Sequence, residues 1–281
     1  MFSDLLASSV GPLVIVFREA LEAGLITSVI FGYLKGIGRR DLFRWGYLGV
    51  CLSLASSFLL GYSLFFFYAS LAEEVATILQ GLAGMTAVVV LSYMILWMAK
   101  NSRKIKGELE ARIEVAVSTG NLMAISLIAF TTVGREGLET VLFLSPFARN
   151  DPLSVAVGSV AGATLALSLL YLLALRIAKA RLSSVFKYTS LLVAVLAAGI
   201  MFHTTAELTE ALDGAGFPLG FLSSSAYDLG IPATSPFSEE GILGGVIHSF
   251  TGFMNSAPWL SVVCYVIYWS LMGAFLYRTY K

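Results

Sequence analysis

The feature that most constrains this chain is a succession of apolar stretches, each about the roughly 20 residues a helix needs to cross a 30 Å hydrocarbon core. They cover residues 11–33, 45–68, 79–99, 122–147, 153–175, 185–205 and about 243–277. Composition agrees, with 57% of the 281 residues hydrophobic, 13% charged and a mean hydropathy of +0.83. A soluble domain of this size needs a charged skin that 18 basic and 18 acidic residues can hardly supply. The sequence therefore predicts an all-α polytopic membrane protein with seven transmembrane helices, forming one integrated domain over residues 1–281. Asn255 and Pro258 interrupt the last stretch, so its helix is expected to begin near Ala257, with residues 242–256 as a lead-in or a broken first half.

Charge placement sets the expected orientation. Lys35, Arg39, Arg40 and Arg44 follow the first stretch; Lys100, Arg103, Lys104, Lys106 and Arg112 follow the third; Arg176, Lys179, Arg181 and Lys187 follow the fifth; Arg278 and Lys281 end the chain. That puts 15 of the 18 bases on one side, against Arg149 alone on the other. The positive-inside rule then places the N-terminus outside and the C-terminus in the cytoplasm. The compact chain favours a bacterial inner membrane. Residues 1–9 carry one charge, Asp4, rather than the basic start of a signal peptide, so the first helix is expected to be kept. Residues 147–152 (FARNDP) mark a short turn, and residues 213–245 form the longest connection, an outer loop apolar enough to pack on the membrane face. Asp4, Glu73, Glu74, Asp151, Glu207, Glu210, Asp213, Asp228, Glu239 and Glu240 all fall outside, a negative surface able to concentrate cations. The formal net charge of zero gives no support to a nucleic-acid partner. Cys51 and Cys264 lie in apolar runs and read as packed thiols.

The chemistry lies in a duplicated motif. Arg18-Glu19-Ala20-Leu21-Glu22 in the first helix and Arg135-Glu136-Gly137-Leu138-Glu139 in the fourth share R-E-x-L-E, 117 residues apart. Three helices separate the copies, and an odd number reverses direction, as an inverted-topology repeat requires. The expected organisation is a first three-helix repeat over residues 10–118, a second over 119–212, the outer loop over 213–245 and a seventh-helix region over 246–281. Within each copy the two glutamates sit at i and i+3, on one helix face, and the arginine reaches the second glutamate at i+4. Pairing Arg18 with Glu22 and Arg135 with Glu139 leaves Glu19 and Glu136 over. Isolated charges this deep cost at least a few kcal/mol. Four carboxylates against two guanidiniums leave a formal charge of about minus two, suited to a multivalent cation with oxygen ligands and also to protons. The alternative is that the pairs only orient the bundle. Ala20, Ala23, Gly24, Gly134 and Gly137 would let the two helices approach closely.

In these motifs the chain resembles the oxidase-linked iron permease family of high-affinity iron transporters, whose hallmark is R-E-x-x-E in the first and fourth helices. The resemblance extends to residues 92–98 (SYMILWM) and 265–269 (YVIYW), with Ala20 standing where many family sequences have Gly. It implies that Glu19, Glu22, Glu136 and Glu139 move iron, as Fe(III) delivered after a separate protein oxidises it, and that Arg18 and Arg135 balance these acids. It implies a non-enzymatic permease with iron as cargo, no prosthetic group, and an extracellular or periplasmic oxidase or iron-binding protein as partner.

Secondary candidates lie outside the repeat. His203, Glu207 and Glu210 align on one face of a continued sixth helix as a receiving site, and Glu73 and Glu74 could join the same vestibule. His248 is isolated in sequence and is given no ligand role. Tyr93 could donate a hydrogen bond to the acidic site. No G-x-x-x-x-G-K-[ST] element is present, nor a coherent nucleophile and base, so neither ATP hydrolysis nor another enzymatic reaction is expected. The rival readings are a permease for another divalent metal, an exporter, or a non-transporting scaffold for an iron oxidase.

Overall fold

The computed structural model describes residues 2–101, 104–147, 151–176, 182–217, 219–232, 235–238 and 241–280. Among them are nine α-helices: α1 (Phe2–Gly36), α2 (Phe43–Ala69), α3 (Glu73–Asn101), α4 (Ile105–Ser118), α5 (Leu122–Leu144), α6 (Pro152–Arg176), α7 (Leu182–Gly214), α8 (Ile242–Thr251) and α9 (Trp259–Tyr280). The described strands are β1 (Ser225–Asp228) and β2 (Ser256–Pro258), an antiparallel pair. The helices α2, α3, α6, α7 and α9 contain five segments long and apolar enough to cross a membrane, which makes the chain an all-α, multi-pass membrane protein. At 35 and 23 residues α1 and α5 are also long, but each carries the three charges of its R-E-x-L-E motif, so apolarity alone does not mark them.

Small residues decide which helices pair. The most extensive packings are α1 on α6, α2 on α5 and α3 on α7, with α1 also crossing α5. Gly158 and Gly162 of α6 lie against the α1 backbone between residues 9 and 17, and Gly49 of α2 lies against the α5 backbone between residues 126 and 130. A Cβ at any of these positions would collide with the opposing main chain, so the close approach requires glycine.

Two apolar cores bracket the charged motifs. Val14 and Ile15 of α1 meet Leu91 of α3, Phe143 of α5 and Ala197 of α7 in one; Ile30 and Leu34 of α1 meet Ile125 and Ala129 of α5 in the other. The start of α1 thus lies beside the end of α5, and the two helices are antiparallel. Helix α4 closes the second core. Its sequence is rich in charge, yet Leu109, Ile113 and Ala116 recur at i, i+4 and i+7 and are buried against α1 and α5.

The last stretch is broken, as Asn255 and Pro258 suggest. Its lead-in is α8, which ends at Gly252 (φ +72°), whose N–H reaches His248 O at 2.8 Å. The spanning helix α9 starts at Trp259, just past the expected Ala257. The long outer connection is tied to that start by the β1–β2 pair, by Trp259 N–H donating to Ser224 O at 3.1 Å, and by Phe221 stacked on Trp259 with ring centres 5.3 Å apart.

Candidate ion site

Where α1 crosses α5, the two motifs meet. Arg18, Glu19, Glu22 and Glu136 are all buried, with relative exposures of 3% or less. Arg18 Nη1 donates to Glu19 Oε1, and its Nη2 lies 2.8 Å from Glu22 Oε1, an ion pair off the hydrogen-bond direction. Arg135 Nη2 donates to Glu136 Oε1 at 2.8 Å, and its Nε lies 3.4 Å from Glu139 Oε1. The expectation that Glu19 and Glu136 stay unpaired is therefore corrected. Adjacent residues on a helix do not ordinarily face each other, but the arginine side chain is long enough to fold back over its neighbour, and each arginine serves both glutamates of its own copy.

Three carboxylate oxygens are left over. Glu19 Oε2, Glu136 Oε2 and Glu139 Oε2 are buried without a hydrogen-bond partner. One oxygen each from Glu19, Glu136 and Glu139 lie within 4.8 Å of one another, a spacing at which a single hard cation could be held. Unpaired acceptors in a dry interior are costly, and a cation between them removes that cost. Glu22 belongs to the same charged cluster through Arg18 but is outside this closest group.

The cluster is closed toward one end and open toward the other. On the side of α1's start, Ile15, Leu91 and Phe143 pack over it, each at most 1% exposed. On the other side a cavity of about 180 Å³ is lined by Glu22, Trp97, Thr132, Arg135, Glu108 and Arg112, among others. Two of these, Glu22 and Arg135, are members of the charged cluster, so the cavity reaches it directly. The Arg135 guanidinium carbon lies 5.4 Å from the centre of the Trp97 ring. Sequence reasoning missed this cavity because its wall comes from four separate helices, α1, α3, α4 and α5; only the i, i+4 spacing of Glu108 and Arg112 hinted that both would share one face.

The other sequence candidates fare unevenly. His203 Nε2 and Glu207 Oε1 are 3.2 Å apart on α7, as their spacing implies, while Glu210 is exposed beyond them. His248, passed over in the sequence, comes from α8 to stand edge-on to His203 with ring centres 5.0 Å apart. The side chains of Glu73 and Glu74 lie outside the described residues, as do Arg149, Glu239 and Glu240. Tyr93 is 67% exposed and turned away from the acids, so its suggested hydrogen bond is not made; Met94, one residue on, contacts Arg18 instead, with Sδ 3.8 Å from Nη1. Three of the outer acids serve locally: Asp151 and Asp228 accept backbone N–H bonds from Ser154 and Gly230, and Asp213 one from Leu219.

Comparison with known proteins agrees with this geometry. Residues 9–278 match the profile of the iron permease FTR1 family. The chain is 36% identical over 270 residues to an uncharacterized protein of Archaeoglobus fulgidus, covering 96% of this chain and 95% of that one. It is 31% identical to the ferrous iron permease EfeU of Yersinia pestis (92% and 89% covered) and 30% identical to that of Escherichia coli O6:K15:H31 (92% and 91%). No solved structure matches the chain. With the paired R-E-x-L-E helices and the family profile covering the same residues, the chain belongs to the iron permease FTR1 family, whose members are transporters and not enzymes.

Proposed function

We propose that this chain carries iron across a bacterial cell membrane into the cytoplasm, through a site shared by the two R-E-x-L-E motifs. The observation that carries this reading is the set of three carboxylates, Glu19 and Glu136 buried and Glu139 partly so, with one oxygen each within 4.8 Å and spare acceptors facing no donor. Four glutamates and two arginines leave a formal charge of minus two. A divalent ion would neutralise it, and ligand exchange with Glu22 would hand that ion to the cavity. Release needs such shallow steps, since a rigid tight cage would store the ion.

The fold supports seven spans, α1, α2, α3, α5, α6, α7 and α9, with α1–α3 and α5–α7 as inverted repeats. Exchanging α1 with α5, α2 with α6 and α3 with α7 turns the α1–α6 packing into α5–α2 and leaves α3–α7 and α1–α5 unchanged. The detail agrees too. Gly49 faces Ser126 O, Ala129 Cβ and Phe130 N, while Gly158 faces Ser9 O, Pro12 Cβ and Leu13 N. Those two triplets are 117 residues apart, the same offset as the motifs. With the basic loops inside and the N-terminus outside, the cavity under α4 faces the cytoplasm and the Ile15, Leu91 and Phe143 layer seals the outer side. Glu73 and Glu74 would lie at the outer mouth, where an oxidase or iron-binding protein would deliver its ion.

Fe(II) is the form we assign to the cargo, from the printed name of the Yersinia and Escherichia relatives. The ferric reading retains one observation, the all-oxygen donor set, which suits a hard ion. Flux into proteoliposomes decides both points, with Fe(II) under reductant and chelated Fe(III) run separately. Wild type is expected to carry Fe(II), and Glu19→Gln and Glu136→Gln to lose at least tenfold while remaining folded. Correctly inserted wild type that moves neither form would leave the scaffold reading.

A further inference from the structure

The charged cluster is open toward one end only, yet the two helices that frame it carry the same motif in opposite directions. The α1 and α5 residues that line the cavity are Glu22, Ile26, Thr132 and Arg135. Shifted by the 117 residues that separate the motif copies, these positions become Glu139, Phe143, Ile15 and Arg18. Ile15 and Phe143 belong to the apolar layer that seals the other end, and Arg18 is the enclosed arginine, each at most 1% exposed. The open end and the closed end are thus built from matching positions, parted at one end and packed at the other.

The same shift acts on the carboxylates. The closest group, Glu19, Glu136 and Glu139, becomes Glu136, Glu19 and Glu22. Glu19 and Glu136 belong to both versions, and the third member alternates between Glu139 and Glu22. In this structure Glu139 is inside the group while Glu22 lines the cavity.

The packing supplies a way to exchange the two versions. Gly158 and Gly162 seat α6 on the α1 main chain, and Gly49 seats α2 on the α5 main chain. Each pair takes one helix from each repeat, and among the described residues the two pairs meet chiefly where α1 crosses α5. Two bodies that are tightly packed within themselves and joined at one crossing can rock about it, opening one end as the other closes. Ile15 stands on the sealed side where the open side has Thr132, and this more apolar contact favours the conformation described.

We propose that the α1–α6 and α2–α5 pairs rock about the charged crossing to open a second vestibule on the outer side, lined by Ile15, Arg18, Glu139 and Phe143, which receives a hydrated divalent cation. Glu139 is its entry ligand, as Glu22 is the exit ligand, and Glu19 and Glu136 hold the ion throughout. The inference rests on the inverted-repeat and permease readings above and adds how the site changes sides.

The test is thiol accessibility in oriented proteoliposomes, with Cys51→Ala and Cys264→Ala removing the native thiols. A membrane-impermeant methanethiosulfonate added outside is expected to modify Ile15→Cys and Phe143→Cys, although both positions are buried, and to reach Thr132→Cys only from the inner side. Ile15→Thr, which copies the inner residue, should speed outer modification of Phe143→Cys about tenfold, as lost apolar burial raises the minor state. A cysteine in the seal can itself loosen it, so spin labels at Phe67→Cys and Leu153→Cys, exposed at the outer ends of α2 and α6, give a second reading. Their distances by double electron–electron resonance should fall into two populations, with Ile15→Thr enlarging the longer one. A single distance that ignores Ile15→Thr overturns the proposal, as does outer reagent that reaches Ile15→Cys and Thr132→Cys alike, the behaviour of an open pore. Outer reagent that modifies neither seal position also overturns it, and leaves the permease reading intact where iron flux persists. Both faces opening in turn without any flux would overturn the permease reading and leave this one standing.

Discussion

The two copies of R-E-x-L-E have nearly the same sequence and different surroundings. In α1, Arg18 has 2% of its side chain exposed, with Met94 against it and α6, α5 and α3 around the helix. In α5, Arg135 has 44% exposed, with Trp97 beside it and the cavity below. Both arginines bind the glutamates one and four residues on, so the motif fixes the local pairing and the environment fixes its consequence. A fully buried guanidinium can leave only by stranding buried carboxylates without a countercharge, whereas one at a cavity edge can exchange partners with water. The α1 copy is the enclosed side of the site and the α5 copy its cavity-facing side.

The most forceful way to break that comparison is to remove each arginine in turn. Arg18→Ala leaves the buried Glu19 and Glu22 without their shared countercharge, and loss of one partner of a buried pair costs about 3–5 kcal/mol. Arg135→Ala removes a guanidinium that is already 44% exposed and whose partner Glu139 is itself partly exposed, and is expected to cost less than half as much, while changing iron flux. Thermal unfolding of the two variants in the same detergent measures the difference. Equal losses would mean that the exposure of Arg135 has no energetic meaning.

A subtler test uses the one residue by which the copies differ next to the glutamate. Gly137 faces Ser57 of α2, whose Oγ and Cβ would collide with an added Cβ, while the matching position in α1 is Ala20. Gly137→Ala should therefore overpack the α2–α5 contact and cost about 1–3 kcal/mol, with Ser57→Gly restoring part of it. Ala20→Gly should cost only helix propensity, roughly 0.8–1 kcal/mol. Unfolding midpoints of the three variants check the order, and a harmless Gly137→Ala would show that α2 and α5 separate more easily than α1 and α6.

How much of this was legible in the sequence depends on whether the signal was local. The apolar stretches coincide with α1, α2, α3, α5, α6, α7 and α9 to within a few residues at most ends, because hydrophobic length is written into the chain itself. Glu19, Glu22, Glu136 and Glu139 could be found because a charge repeated inside apolar helices is rare, and Arg18 with Glu22 followed from i, i+4 spacing. The arginines' second bonds, to Glu19 and Glu136, could not be found, since they depend on a guanidinium folding back onto a buried neighbouring carboxylate. The buried face of helix α4 is hard to see in the sequence because its charges outnumber the three residues it buries, Leu109, Ile113 and Ala116. His248 carried no signal at all: its partner His203 is 45 residues away, and only the packing of α8 on α7 joins them.

The smallest expected effect concerns how the helices beside each motif begin. Helix α6, the partner of α1, starts at Pro152 just after Asp151, whose Oδ1 accepts Ser154 N–H at 3.0 Å and whose Oδ2 accepts the Ser8 hydroxyl of α1 at 3.0 Å. Helix α2, the partner of α5, starts after Leu42 with no side-chain cap, and Leu42 is buried in the second core instead. One junction is therefore polar and titratable and the other apolar. Hydrogen bonds from the Ser154 hydroxyl first, then from Ser154 N–H and Ser8, hold the Asp151 carboxyl below its usual range. A carboxyl depressed in the folded state contributes stability above its unfolded pKa of about 3.9, and that contribution is lost as pH falls through the folded value. Asp151→Ala should thus lower the unfolding midpoint near neutral pH by an amount set by the cap, about 1 kcal/mol, and the gap to wild type should close as pH drops below about 4. Leu42→Ala should lower stability by an amount independent of pH over the same range. If the two variants follow parallel pH curves, the α1–α6 junction is held by packing alone, and the difference between the two sides of the molecule narrows to the arginines themselves.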